Sequence, residues 1–60
     1  MTPTQQRQQW LDQYGIDIWA AQAMAQFQGL LPEFERAMHS RNIALLHGME
    51  RLCKREVKRQ

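Results

Sequence analysis

Three side chains in this sequence are of types that bind soft metals or attack electrophiles: His39, His47 and Cys53. A structural zinc site needs four ligands at short paired spacings. On one helix the two histidines would point about 80° apart, and no second cysteine is present. A cysteine nucleophile needs a base within hydrogen-bond reach. His47 and Cys53 would point to different sides of a helix, and Cys53 falls in line with Leu46 and Met49 as a small apolar residue. The expectation is therefore a protein that is not an enzyme, with no catalytic residue, metal or cofactor.

A second chemistry is offered by charge. The net charge is only +2, but residues 1–50 hold three basic against five acidic residues, while residues 51–60 hold five basic against one acidic. Arg51, Lys54, Arg55, Lys58 and Arg59 form this basic patch, and a helix would display the last four as one band. Such a band binds phosphates in a salt-dependent way, yet without base-reading side chains its affinity is non-specific. It equally suits the negative end of a helix, or the steering of an acidic protein.

Trp10 and Trp19 have the shape to stack on bases. Apart from Arg7, their nearest charges are Asp12 and Asp17, so a protein core or interface fits them better. Met24, Met38 and Met49 fall on the apolar stripes, where flexible thioethers suit either gap filling or an adaptable contact surface.

These residues must be carried by helices. Thr2-Pro3-Thr4-Gln5 has the makings of a capping box with proline at the first helical position. A first helix over 3–14 ends at Gly15, and Asp17 caps a second over 18–28 with a stripe of Ala20, Ala23/Met24 and Phe27. Gly29-Leu30-Leu31-Pro32 punctuates the chain, and a third helix over 32–39 comes next, with Glu33 and Glu35 in its first turn. The stripe then continues through a helix over 41–58, capped by Ser40 if the phase slip at Ser40-Arg41-Asn42 is a break, or continuous with the third helix if it is not. No strand is expected. Nine glutamines, mostly in the first half and interrupted by apolar residues, read as a solvated helix face.

The fold class is thus all-α, one domain over 1–60 built as a small bundle of three to four short helices. Its 43% hydrophobic content carries more large apolar side chains than so short a chain hides easily: a domain of this size buries only about 60% of its unfolded surface. With no internal disulfide and no metal, completion by dimerisation or by a protein partner is the expected remedy. Gly48, with Ala44 four residues before it, makes a notch suited to a close helix crossing within or between chains.

The expected interface residues are Trp10, Trp19, Phe34, Met38, Leu45, Gly48, Met49 and Leu52. The function they imply is a small adaptor, inhibitor or regulator that packs helices on a host or regulatory protein, or on a second copy of itself. Phages and mobile elements encode inhibitors and antirepressors of this size. The alternative is a DNA- or RNA-associated regulator that uses the basic C-terminal helix, with a helix-turn-helix around Gly29, since Ala25 and Gly29 have the spacing found at such turns. Against it, Glu35 lands on a position that motif would bury. The lone cysteine, the polar N-terminus and the lack of a long apolar run fit a cytoplasmic chain with no membrane segment.

Overall fold

The computed structural model of the protein describes residues 2–59, with side chains described for 2–58. All regular structure among them is helical: α1 Pro3–Tyr14, α2 Ile18–Gln28, α3 Leu31–Ser40 and α4 Ile43–Arg59.

Local chemistry sets the helix ends. The Thr2 hydroxyl accepts from the Gln5 N–H at 3.2 Å, and the Gln5 side chain accepts from the Thr2 N–H at 3.1 Å. Two backbone donors that α1 leaves open are thereby satisfied. Gly15 closes α1 in the left-handed conformation (φ 68°), with its N–H on the Leu11 carbonyl. Asp17 then caps α2 by accepting from the Trp19 and Ala20 N–H groups. Gly29 closes α2 the same way (φ 72°), and Leu30 donates back to the Ala25 carbonyl at 2.7 Å. Pro32 sits in the first turn of α3, where its missing N–H costs nothing.

The third and fourth helices are separate, and the break differs from the expected one. Ser40 is the last residue of α3, and its hydroxyl donates to the Arg36 carbonyl at 2.9 Å, so it does not cap α4. Arg41 takes up the left-handed conformation (φ 57°), which costs a residue with a Cβ about 1–2 kcal/mol. Its guanidinium lies 5.1 Å from the Trp10 ring centre, a contact that returns about 0.5–1 kcal/mol at an exposed site. Asn42 supplies the cap of α4, its side-chain oxygen accepting from the Leu45 N–H at 3.2 Å.

The core gathers Trp10 from α1, Ile18, Ala21 and Ala25 from α2, Phe34 and Ala37 from α3, and Leu46 and Met49 from α4. Ile16, in the α1–α2 connection, is fully buried at its centre. The largest contact is between α2 and α4. Asp17 at the start of α2 meets Glu50, and Phe27 at its end meets Val57. The two helices therefore run in the same general direction, with α3 as the return stroke between them.

The buried stripe of α2 is Ile18, Ala21, Met24 and Ala25. This corrects the expected phase: Ala20 is half-buried, Ala23 is exposed, and Phe27 stands 82% exposed. Alanines line much of this helix, so its sequence marks the inward side weakly. The inward side is held by Ile18 and Met24, with Ala21 and Ala25 fully buried beside them.

Candidate functional site

The outward face of α4 is fixed by the inward one. Leu46, Met49 and Glu50 are buried, and helical periodicity places Ala44, Gly48, Arg51 and Arg55 on the far side, with Leu45 and Leu52 on a flank about 100° from the buried centre. Leu45 and Leu52 are 41% and 40% exposed, large for leucines in an ordered helix. Between them, a Cβ built on Gly48 meets no atom within 4 Å. Nothing in the chain itself makes use of the missing side chain. Gly48, Arg51, Leu52, Lys54, Arg55 and Lys58 line an open groove of about 560 Å³. Lys54 reaches the Glu50 carboxylate at 3.6 Å, whereas among the described residues Arg51, Arg55 and Lys58 have no ion-pair partner. The Arg59 side chain lies outside the described residues.

A polar network fixes α4 in this orientation. Glu50 is 3% exposed and accepts a hydrogen bond from the Asp17 backbone N–H. His47 Nε2 lies 3.8 Å from its other oxygen. The Asp17 carboxylate in turn takes both Nε and an Nη of Arg7, at 3.1 and 2.8 Å. Arg7 also lies 4.9 Å from the ring centre of Trp19. The guanidinium hydrogen bond, with the capping N–H groups of Ala20 and Trp19, holds the Asp17 carboxyl below its ordinary range against the opposing effect of burial. The same bond raises Arg7. One chain of contacts so joins α1, the α1–α2 connection, α2 and α4.

The eight expected interface residues do not form one surface. Trp10, Phe34 and Met49 are core residues, 4–6% exposed, and their apolar area is taken up inside the chain. They give no contact surface in this fold. Met38 is half-buried in a crevice with Trp10, Tyr14 and Arg41, between α1 and α3. Trp19 is 41% exposed but has Arg7 stacked near it. Of the eight, Gly48 and Leu52 alone line one groove, which they share with the basic patch, and exposed Leu45 stands two turns before Leu52 on the same helix.

Sequence reasoning missed two features. Glu50 was legible in part, since it stands four residues after Leu46 on an apolar stripe. The second feature is a recess of about 270 Å³ lined by Ala23, Met24, Phe27, Cys53, Glu56 and Val57. Cys53 is half-buried there, so it is less enclosed than its place on the stripe suggests. His39 and His47 lie on different helices, and among the described residues no three His, Cys, Asp or Glu side chains gather where they could hold a metal ion. None of the described helices is long and apolar enough to cross a membrane.

The helix-turn-helix expectation meets an electrostatic obstacle. The helix after Gly29 carries Glu33 in its first turn, and Glu35 is exposed two residues further on. Carboxylates at the leading end of a would-be recognition helix repel the phosphates it must approach.

Compared with models of protein families, with curated proteins and with solved structures, the chain matches none.

Proposed function

We propose that this protein is a non-enzymatic interaction module, an adaptor, inhibitor or regulator, that acts by packing the outer face of α4 against another protein. The observation that carries the reading is the open space over Gly48, flanked by two half-exposed leucines. Glycine inside a helix costs about 1 kcal/mol relative to alanine. That cost is offset where another backbone comes close, and none of the described residues does so. Leu45 and Leu52 supply apolar contact, and the cations beside them raise the association rate more than the final affinity.

The test is a photo-crosslinking residue placed at Leu45 or Leu52 in the native host, with exposed Gln9 on α1 as control. Protein adducts from the two α4 positions and none from Gln9 are expected, and equal labelling at all three would refute the reading. A second reading, binding to nucleic acid through Arg51, Lys54, Arg55 and Lys58, is favoured by one observation, the convergence of four cations on one groove. Under it the adducts would carry nucleic acid.

A further inference from the structure

The α4 groove has a composition that selects among partners, and the geometry points to an acidic amphipathic helix as its occupant. This inference rests on the reading of α4 as a protein-docking face, and it adds the chemistry of what docks.

The groove joins two kinds of surface along one helix. In its lining Gly48 has no side chain and Leu52 is apolar, with exposed Leu45 two turns before Leu52 on the same helix, and Arg51, Arg55 and Lys58 present charge. Phosphates would satisfy the cations but gain nothing from the leucines or from the gap at Gly48. A helix uses both. Its apolar stripe packs on Leu45 and Leu52, and its backbone comes close where Gly48 has no Cβ, the mode by which amphipathic helices fill grooves.

The charge pattern also fixes a register. Arg51, Arg55 and Lys58 succeed one another by four and three residues, rises of about 6 and 4.5 Å along the helix axis. A helix lying alongside meets them with carboxylates spaced four and three residues apart. Lys54 is partly satisfied by Glu50, so three cations await a counter-charge.

A second copy of this face cannot supply that counter-charge. Over Ile43–Arg59 the acidic residues are Glu50 and Glu56. Glu50 is buried and bonded to Asp17, and Glu56 lines the recess by Phe27 and Val57. Two such faces brought together would set cations against cations or against uncharged residues. Charge complementarity therefore selects an acidic occupant over a second copy of this same face.

The experiment titrates the full-length protein with labelled helical peptides sharing one leucine stripe. The first carries glutamates four and three residues apart on its flank, the second glutamines there, and the third lysines; a DNA duplex is the fourth probe. The glutamate peptide should bind about tenfold more tightly than the glutamine peptide, given what three exposed pairs contribute. Arg51→Glu/Arg55→Glu, at two exposed positions that leave the core alone, should reverse the preference so that the lysine peptide binds best. Gly48→Leu should weaken all three peptides, with helicity by circular dichroism confirming that the variant folds. Equal binding of glutamate and glutamine peptides would overturn the acidic occupant while leaving helix packing in place. No binding by any peptide would overturn both. Duplex DNA that binds more tightly than the glutamate peptide, and is indifferent to Leu45→Asp, would give the groove to nucleic acid.

Discussion

Two pairs of small residues, each four apart on a helix, have opposite fates in this protein. Ala21 and Ala25 on α2 are fully buried, on a helix that packs more extensively against α4 than against any other described helix. Ala44 and Gly48 on α4 face away, with nothing near the position of a Cβ on Gly48. The first pair shows what such a spacing achieves when a helix comes close. The second has the same spacing with the neighbour left out. Small residues at helical spacing thus mark where a backbone can approach, and whether one does so within the chain separates scaffold from contact face.

Substitutions that enlarge the two pairs should break the symmetry most plainly. Ala25→Leu forces side-chain atoms into the closed core beside α2, and overpacking of this kind costs about 1–3 kcal/mol. For a domain whose core supplies about 3–5 kcal/mol, urea unfolding should show a large loss or no folded state. A second large effect should come from Glu50→Ala, which orphans the buried Asp17 N–H at a cost of about 1–3 kcal/mol. Glu50→Gln keeps an acceptor there and should recover most of that loss.

Gly48→Ala should do the reverse of Ala25→Leu. With open space at the Cβ, it should raise the unfolding free energy by up to about 1 kcal/mol, while a bound helix is pushed away and partner affinity falls. A substitution that stabilises the free chain and weakens its complex is the signature of a residue kept for contact. Loss of stability on Gly48→Ala would remove the distinction between the two pairs.

The smallest expected effect is a pH dependence on the scaffold side. The Asp17 carboxyl is lowered by Arg7 from an ordinary value near 3.8, so the folded state favours its ionised form. That contribution is complete above the ordinary carboxylate range and is lost as pH falls through the lowered value. Urea midpoints should therefore decline below about pH 4, and Asp17→Asn should flatten the decline. The outer face of α4 has no such group, so peptide binding by the folded protein should not share this dependence on Asp17.

Features set by neighbours in the chain were readable from sequence. Thr2 and Gln5, Gly15, Asp17, Gly29 and Pro32 mark helix ends through contacts within a few residues, and the ends of α1 and α2 fall where those residues predict. The choice of Asn42 over Ser40 as cap was not readable, because both are good capping residues and the decision lies in the left-handed turn at Arg41. The phase of α2 was misread for a related reason. An alanine-rich helix gives little periodic signal, and Phe27 drew the stripe to the wrong side. In the site, Leu45, Gly48 and Leu52 were legible as a group because one helix carries them. Trp10, Phe34 and Met49 could not be sorted into core or surface, since their burial depends on how four helices meet. The Glu50–Asp17 bond joins residues 33 apart in sequence, and nothing local announces it.

That bond has a consequence for which version of the molecule exists at all. Around α4, Leu45, Leu46, Met49, Leu52, Cys53 and Val57 spread apolar atoms over an arc of about 140°, wider than the strip that Leu46 and Met49 bury. Turning it by about a third of a revolution would draw Leu45 and Leu52 inward and swing Glu50 out. The Asp17 N–H would then be left without its acceptor. Glu50 thus works as an indexing pin for the rotational setting of the helix. In that setting Leu45 and Leu52 stay exposed.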